Sequence, residues 1–214
     1  MTTRKLTVIS AGLAQPSSTR LLAERLAAAT ERRLTDEGVE TQIDLFDLRD
    51  VAQDITNNLL TGFASPRLQK VIDAVTGADG LVAVTPIYTT SYSGLFKSFM
   101  DILDPQSITG MPVAIAATGG TERHSLALDY AMRPLFSYLH AVVVPTAVYA
   151  ASSDWGSGDQ GTAADAGSSA LPERIERAAG ELASLVRESD RSSRVVDPFA
   201  LPAGFSPVGA YGAQ

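Results

Sequence analysis

The amino-acid sequence predicts an α/β domain built on a doubly wound parallel sheet of five strands. Apolar runs of strand length, such as residues 81–84 and 112–117, alternate with amphipathic segments long enough to form helices. Strands that alternate with helices of ten or more residues pack as a parallel sheet with helices on both faces. Three of the predicted strands lead into loops rich in Ser, Thr, Tyr and Gly. Ligands bind at the carboxyl ends of the strands in such sheets, so these loops are the candidate site.

The first predicted strand, over residues 6–10, is followed by a helix over residues 18–36. Ser17 or Ser18 is the predicted N-cap of this helix, because a hydroxyl there accepts a hydrogen bond from a free N–H group. Gly38 is the predicted C-terminal stop. The second strand is half exposed, because apolar and polar residues alternate through Val39, Thr41, Ile43 and Leu45.

The middle of the chain contains one long connection and one clear helix–strand–helix pattern. Residues 47–65 are polar, and no helix is placed there with certainty. Ser65 and Pro66 begin a helix that ends at Gly77, since proline is favoured at the first helical position. The third strand covers residues 80–85 and is expected to end at Pro86, which fixes its own φ and restricts the preceding residue.

The remaining elements follow from breaker residues and apolar runs. Ser93 is the predicted N-cap of a helix that ends near residue 103. The later predictions are a fourth strand (112–117), a helix (124–138), a fifth strand (141–148), a flexible loop (151–170), a last helix (171–189) and a C-terminal tail (191–214). Pro145 implies that the fifth strand is an edge strand or is kinked. Residues 1–190 are therefore expected to form one domain.

The composition excludes several classes of protein. The net charge of −7 argues against a nucleic-acid partner and an anionic membrane surface. The absence of cysteine excludes thiolate metal sites and a catalytic thiol, so redox chemistry would need a cofactor. No run approaches the roughly 18 apolar residues of a membrane span. The start of the chain leads into a strand rather than an export signal. A cytoplasmic location is the expectation.

The loop after the first strand has the composition of an anion site. Ser10, Gln15, Ser17, Ser18 and Thr19 surround the start of the following helix. Free N–H groups and the positive end of the helix dipole attract an anion, and hydroxyls add donors without charge. A phosphate monoester fits this loop, although plain helix capping would need only one of these residues. Neither the P-loop motif nor G-x-G-x-x-G is present.

The loops after the third and fourth strands add flat surfaces and close backbone approach. Tyr88 and Tyr92 offer faces for a planar heterocycle, although either ring is equally compatible with simple packing. Gly119 and Gly120 follow Thr118, and they allow backbone to approach a ligand, although a lone Gly-Gly is more typical of a tight turn. None of the three loops carries an acid–base pair, a metal cluster or a nucleophile triad. This combination favours holding a cofactor, with no catalytic side chain and no metal.

The loop after the third strand also carries a family motif. The pattern P-x-Y-x-x-S-x-x-G-x-x-K-x-x-x-D is present as Pro86, Tyr88, Ser91, Gly94, Lys97 and Asp101. With this motif, residues 4–150 resemble the NAD(P)H-dependent FMN reductases of the flavodoxin-like superfamily, especially actinobacterial members that accompany luciferase-like monooxygenases. The resemblance implies a three-layer flavodoxin-like sandwich with strand order 2-1-3-4-5. It also implies FMN and NADPH (or NADH) as cofactors.

The resemblance further implies hydride transfer from the nicotinamide to flavin N5. The residues that it places around the flavin are Ser10, Gln15, Ser17, Ser18, Thr19, Pro86, Ile87, Tyr88, Thr89, Ser91, Thr118, Gly119 and Gly120. The phosphate loop contains no arginine, so the phosphate is expected to be held by hydroxyls, backbone amides and Gln15. For NADPH, Arg20, Arg123 and Arg133 are the candidates that would meet the 2′-phosphate.

The resemblance leaves alternatives for the use of the reduced flavin. The principal expectation is an enzyme that supplies reduced FMN to a partner monooxygenase. The alternatives are a quinone or azo-compound reductase with tightly bound FMN, and a flavodoxin-type electron carrier that is not an enzyme. The helix after Gly94 is apolar on more than one side, so it is either wholly buried or covered in part by a second subunit. A homodimer or homotetramer through this helix is expected.

Overall fold

The computed structural model describes residues 3–156 and 170–191. Most of the predicted flexible loop and all but the first residue of the predicted tail lie outside these ranges. The elements up to residue 101 are β1 (Thr3–Ser10), α1 (Ser18–Asp36), β2 (Glu40–Asp47), a 3₁₀ turn (Leu48–Val51), α2 (Ala52–Thr61), α3 (Pro66–Thr76), β3 (Gly80–Tyr88), β4 (Ser91–Tyr92) and α4 (Gly94–Asp101).

After α4 the chain forms the remaining three strands of the sheet and the last helices. These elements are β5 (Pro112–Gly119), a 3₁₀ turn (Glu122–His124), a π-helix (Leu128–Met132), α5 (Arg133–Tyr138), β6 (Val142–Val143), β7 (Val148–Ala151), α6 (Ser153–Gly156) and α7 (Leu171–Glu188). No helix in the described ranges is long and apolar enough to cross a membrane.

The sheet confirms the predicted topology. The strand order is β2-β1-β3-β5, and both β6 and β7 pair with β5 in parallel. Pro145 lies between β6 and β7, so these two short strands together are the predicted fifth strand, interrupted by a residue that lacks a donor. When β5 is counted as the fourth predicted strand, and β6 together with β7 as the fifth, the strand order is the predicted 2-1-3-4-5. The short β4 pairs with the end of β3 and raises the number of strands to seven.

Two helical layers enclose the sheet. Helices α1 and α7 cover one face, and α2 to α5 cover the other. Because side chains alternate along a strand, Leu81 and Ala83 of β3 enter one core while Val82 and Val84 enter the other. All four side chains are fully buried, as is typical of a central parallel strand.

The polar connection over 47–65 contains a helix that the sequence did not place. Helix α2 has Ile55 as its single fully buried residue, so its apolar periodicity is too weak to identify it. Leu59 and Leu60 on the same helix are instead exposed. Contacts with α4, with α3 and with the preceding 3₁₀ turn stabilise this helix, because tertiary packing supplies most of the stability of a short helix.

Pro86 does not end β3, contrary to the expectation. The carbonyl of Val84 accepts a hydrogen bond from the N–H of Ala11 at 2.9 Å, so the backbone groups of Val84 point toward β1. Pro86 lies two residues later and points the same way, at a level where β1 has already ended at Ser10. Its missing N–H therefore breaks no ladder bond, and the strand continues to Tyr88.

The single helix predicted over 124–138 is also wrong. The segment divides into a 3₁₀ turn, a π-helix and α5. Pro134 lacks an N–H and cannot donate to the carbonyl of Tyr130, so the hydrogen-bond ladder is interrupted between the π-helix and α5. Two leucines on the helices of the other layer, Leu21 on α1 and Leu185 on α7, are 40% and 36% exposed. The last helix is confirmed over Leu171–Glu188.

The predicted flexible loop over 151–170 begins differently in the described part. Ala151 is a buried residue of β7, and Ser153–Gly156 forms α6. The Asp154 carboxylate explains why this segment has regular structure. It accepts hydrogen bonds from the N–H of Ala151 at 2.7 Å and from Arg174 at 2.9 Å.

Candidate functional site

A cavity of about 260 Å³ lies where the carboxyl ends of β1, β3, β5 and β7 meet. All three loops that the sequence singled out contribute to its wall. The residues that line it are Gly12, Leu13, Ala14, Pro16, Ser17, Ser18, Thr19, Pro86, Ile87, Tyr88, Thr118, Gly119, Gly120, Ser152 and Trp155. Strand order explains this convergence, because β1, β3 and β5 are neighbours and end at the same edge of the sheet.

The loop between β1 and α1 is shaped for close approach to the helix start. Ser17 is the N-cap of α1, and its hydroxyl accepts a hydrogen bond from the N–H of Arg20 at 3.1 Å. A Cβ at Gly12 would overlap Oγ of Ser17 and lie 3.0 Å from Cβ of Thr19. Only glycine therefore allows the loop to fold back onto the first turn of the helix.

Ser10 lies beneath this loop and has an unsatisfied hydroxyl. Its side chain is fully buried, and its Oγ has no hydrogen-bond partner. Buried polar groups in native proteins almost always have a partner, so an orphaned one at the end of β1 is informative. Together with the cradle at Gly12 and the free N–H groups of the first turn of α1, it fits a loop that is completed by an anionic group.

Thr19 connects the first loop to the third. Its hydroxyl shares a 2.8 Å hydrogen bond with the hydroxyl of Thr118, and both side chains are buried. The bond joins α1 to the end of β5 directly across the floor of the cavity. Sequence alone indicated two polar residues far apart in the chain, whereas the fold makes them a single contact.

The second loop is a tight β-hairpin. Tyr88 pairs with Ser91, and the two residues between them, Thr89 and Thr90, have φ values of 47° and 71°. Hairpins of this length favour turns with positive φ at both central residues, but asparagine and glycine usually occupy them. Two β-branched residues there are strained. The turn holds Tyr88 at the cavity with 47% of its surface exposed.

A buried hydroxyl anchors the start of the helix that follows this hairpin. Oγ1 of Thr85 accepts a hydrogen bond from the N–H of Ser93 at 3.0 Å. Ser93 in turn caps α4, as predicted, by accepting from the N–H of Phe96 at 3.2 Å. The motif residues Lys97 and Asp101 then pair at 2.6 Å on the surface of α4. The hydrogen bond to Asp101 raises the pKa of Lys97, so this end of the motif is a helix contact.

Tyr149 of β7 supports the third loop. Its hydroxyl donates to the carbonyl of Thr121 at 2.8 Å. The ring lies against Gly119, where a Cβ would overlap Oη and lie 3.0 Å from Cζ. Burial raises the pKa of Tyr149, so the hydroxyl keeps its proton for this bond at neutral pH. Gly119 is thus required by the tyrosine behind it, whereas a Cβ at Gly120 would meet open space.

A fourth segment, which the sequence did not assign to the site, completes the wall. Ser152 and Trp155 line the cavity beyond the end of β7. The guanidinium of Arg25 lies over the indole of Trp155, 5.1 Å from the ring centroid. The position of Trp155 just after a strand was the sequence feature that pointed to this wall. The composition of the surrounding residues indicated a flexible loop instead.

The structure separates the predicted site residues into two groups. Nine of them line the cavity, namely Ser17, Ser18, Thr19, Pro86, Ile87, Tyr88, Thr118, Gly119 and Gly120. Four do not, because Ser10 is buried below, Gln15 is exposed on the loop, Thr89 forms the hairpin turn and Ser91 is in β4. The neighbours Gly12, Leu13, Ala14 and Pro16 line the cavity without having been predicted.

The three arginines that are candidates to bind the 2′-phosphate of NADPH differ in whether their guanidinium groups already have partners. Arg20 is bound by Asp47 at 2.5 Å and by Glu24 at 2.7 Å. Arg133 is held by Asp129 and by two backbone carbonyls. Arg123 is exposed, and its guanidinium has no partner within the ranges that the structure describes. It follows the cavity residue Gly120 by three positions.

A larger cavity of about 440 Å³ lies at the opposite edge of the sheet, beside Pro112 and Arg191. The guanidinium of Arg191 there bonds the backbone carbonyls of Ser107, Thr76 and Thr109. This edge carries the amino ends of the strands, whereas ligands bind at the carboxyl ends. The smaller cavity is therefore the candidate site. No group of side chains suited to a metal ion occurs among the residues described.

Comparisons with known proteins identify a matching family and similar chains. Residues 4–156 match the family described as NADPH-dependent FMN reductase. The chain is 37% identical over 151 residues to an FMN reductase (NADPH) of Pseudomonas aeruginosa, covering 71% of this chain and 78% of that one. It is 36% identical over 146 residues to the NADH-dependent FMN reductase SfnF of Pseudomonas putida, covering 68% and 76%.

A solved structure is similar over more of the chain. The X-ray structure of an oxidoreductase from Corynebacterium diphtheriae superimposes with a TM-score of 0.81 at 45% identity. The alignment covers 88% of this chain and 100% of that one. The similarity therefore extends beyond the residues matched by the family.

Proposed function

The chain belongs to the family of NADPH-dependent FMN reductases, and we propose that FMN binds in the cavity at the carboxyl ends of β1, β3 and β5. The convergence of all three predicted loops on this one cavity carries the proposal. As a member of this family, the protein is an enzyme that reduces FMN with a nicotinamide nucleotide. The flavodoxin-type electron carrier is thereby set aside.

Each wall of the cavity suits one part of the flavin. The loop from Gly12 to Thr19 would hold the phosphate, because it offers hydroxyls and the first N–H groups of α1. The segment from Pro86 to Tyr88 would face the isoalloxazine, with Thr89 and Ser91 supporting it from the hairpin. Thr118, Gly119 and Gly120 would meet the pyrimidine end, where backbone donors stabilise negative charge. Ser10 and Gln15 would complete the phosphate site from below and from outside.

The protein residues at this site position groups rather than transfer protons. FMN supplies the redox chemistry when bound, by accepting a hydride at N5. Within the part of the chain that the structure describes, no carboxylate or histidine lines the cavity. Tyr149 lies behind the wall and is committed to the carbonyl of Thr121. We therefore assign no catalytic side chain.

The reduced flavin is proposed to leave the enzyme and serve a separate flavin-dependent monooxygenase. The resemblance of residues 4–150 to reductases that accompany luciferase-like monooxygenases supports this proposal. The test is ultrafiltration of the protein after anaerobic reduction with NADPH and one equivalent of FMN. Reduced FMN in the filtrate supports a supplier of free flavin. Retention of the flavin through turnover would instead favour a quinone or azo-compound reductase.

The nicotinamide preference is proposed to depend on Arg123. The two relatives with 36–37% identity differ, since one is named for NADPH and the other for NADH. Arg20 and Arg133 are occupied by acidic and carbonyl partners, whereas Arg123 is exposed near Gly120. If Arg123 contacts the 2′-phosphate, Arg123→Gln should raise the KM for NADPH several-fold and leave that for NADH unchanged. Equal changes in both KM values would contradict this role.

A homodimer is proposed, with its interface on the layer that contains α2 and the π-helix. Phe96, Phe99 and Met100 of α4 are buried within the chain, so α4 itself offers less apolar surface than its sequence indicated. The large exposed apolar residues of this layer include Leu60 (80%), Phe63 (81%), Leu126 (61%) and Tyr130 (79%). The elements that carry these residues lie on one face of the sheet, and their exposure supports a subunit contact there.

The oligomeric state provides the test of this interface. A double variant with Leu60→Glu and Phe63→Glu should sediment as a monomer at micromolar concentration, whereas wild type should sediment as a dimer or tetramer. The matched change Leu21→Glu, on the α1 layer, should leave the assembly intact because Leu21 is exposed on the other face. A monomeric wild type would refute the proposal. A cytoplasmic location and a single domain over 1–190, with a tail over 191–214, complete the proposed organisation.

A further inference from the structure

The loop proposed to hold the flavin phosphate has no cation of its own. Residues 11–19 contain neither lysine nor arginine. Arg20 follows at once, but Asp47 and Glu24 both pair with its guanidinium. A phosphate near this loop would therefore meet neutral donors and a cation whose charge is already balanced by two carboxylates.

Arg49 brings a second guanidinium to the same loop from a different part of the chain. It lies in the 3₁₀ turn after β2 and donates through NH1 to the carbonyl of Leu13 at 2.8 Å. Leu13 is part of the cavity wall. The sheet explains this reach, because β1 and β2 are paired and Ser10 lies opposite Asp47.

The charge of Arg49 is not balanced by a carboxylate. No acidic partner of Arg49 occurs in the described ranges, and its side chain is half-buried. A guanidinium has five N–H donors, and the contact with Leu13 uses one of them. The end of β2 and the turn after it thus have opposite effects near the first loop. Asp47 neutralises Arg20 of α1, whereas Arg49 presents an uncompensated cation to the loop itself.

We propose that Arg49 is the cationic partner of the flavin phosphate and that it makes this enzyme select FMN over riboflavin. This inference rests on the proposed function, which places the phosphate at residues 12–19. It changes the expectation from the sequence, according to which hydroxyls, amides and Gln15 alone hold the phosphate. Guanidinium–phosphate hydrogen bonds are among the strong, charge-assisted ones, so one such contact discriminates between the phosphorylated and unphosphorylated flavins.

The simpler alternative is that Arg49 only braces the carbonyl of Leu13. Two substitutions separate charge from bracing. Arg49→Lys keeps the positive charge, whereas Arg49→Gln keeps an N–H donor for the carbonyl and loses the charge. Arg177→Gln is the matched control, because Arg177 is exposed on α7 and has no side-chain partner in the described ranges.

The experiment measures the Kd values of FMN and riboflavin for the apoprotein by flavin fluorescence at low and high salt. For Arg49→Gln we expect FMN binding to weaken about tenfold or more, while riboflavin binding changes less than about twofold. Arg49→Lys should retain most of the FMN affinity, and Arg177→Gln all of it. Added salt should weaken FMN binding to wild type more than binding to Arg49→Gln. Thermal melts establish that each variant is folded.

Two results would overturn the inference. One is an unchanged FMN affinity in Arg49→Gln, and the other is an equal loss of FMN and riboflavin affinity in both Arg49 variants, which would assign bracing alone. Failure of the proposed function is a different result, in which wild type itself binds neither FMN nor riboflavin. The comparison of wild type with the variants therefore distinguishes the two failures.

Discussion

The contact between Gly119 and Tyr149 allows a sharp test of how the third loop is built. We predict that Gly119→Ala destabilises the protein, because the new Cβ would overlap the tyrosine hydroxyl and lie 3.0 Å from Cζ. Tyr149 is 5% exposed, so its ring has little room to move away. Its shift would also break the 2.8 Å hydrogen bond to the carbonyl of Thr121.

The expected magnitude follows from three contributions. Overpacking of a tight site costs about 1–3 kcal/mol, and loss of one hydrogen bond costs about 0.5–1.5 kcal/mol. Replacing glycine by alanine returns about 0.4–1 kcal/mol through the unfolded chain. The net destabilisation is about 2 kcal/mol, which corresponds to a fall in Tm of about 4–8 °C for a chain of this size.

A double-mutant cycle with Tyr149→Phe isolates the contact. Tyr149→Phe alone should cost about 1 kcal/mol, and it removes the atom that the alanine methyl would overlap. The double variant should therefore be about as stable as Tyr149→Phe alone, with a coupling of about 1–2 kcal/mol. Gly120→Ala is the matched control and should be neutral or slightly stabilising, since its Cβ meets open space. A wild-type Tm for Gly119→Ala, or additive effects in the cycle, would refute the reasoning.

Three further predictions concern the same cavity. Replacing Thr89 by Asn and Thr90 by Gly should raise the Tm by about 2–8 °C, because these residues suit positive φ and relieve about 1–2 kcal/mol of strain; a Tm at or below that of wild type would contradict the strain. FMN should quench the fluorescence of Trp155, the single tryptophan, in a saturable way because the indole lines the cavity; unchanged emission would place the flavin elsewhere. Above pH of about 10, wild type should lose stability more steeply than Tyr149→Phe, because burial raises the pKa of Tyr149 and favours its neutral form in the fold. That stabilisation is complete below the ordinary tyrosine pKa and is lost as pH rises through the raised value, so parallel pH profiles in thermal melts would count against it.

Most of the fold could be predicted because its signals are local. The buried run at residues 81–84 and the Ser65–Pro66 start of α3 depend on apolar periodicity and cap chemistry, and both predictions are confirmed. The prediction that Pro86 ends β3 was wrong. A missing N–H interrupts a sheet only where a neighbouring strand offers an acceptor, and the sequence does not show which strand Pro86 faces. Helix α2 was missed because one buried residue, Ile55, gives almost no periodicity.

The sequence also identified the loops of the candidate site, but it did not identify all their contacts. Polar and glycine-rich residues after three strands indicated Ser17, Tyr88 and Gly119, because parallel strands end at one edge of the sheet. Trp155 was not assigned to the wall, since its position depends on the contacts of Asp154 with Ala151 and Arg174. No local pattern carries such information.

By itself, the sequence determined the α/β class, the strand order through its family motif, and the edge of the sheet at which the flavin is proposed to bind. Only the tertiary structure decided how residues far apart in the chain meet there. The Thr19–Thr118 bond, the Tyr149 support behind Gly119 and the reach of Arg49 to Leu13 all join segments that are 28 to 99 residues apart. The physical reason is that periodicity and capping act over a few residues, whereas these contacts depend on which strands lie side by side in the sheet.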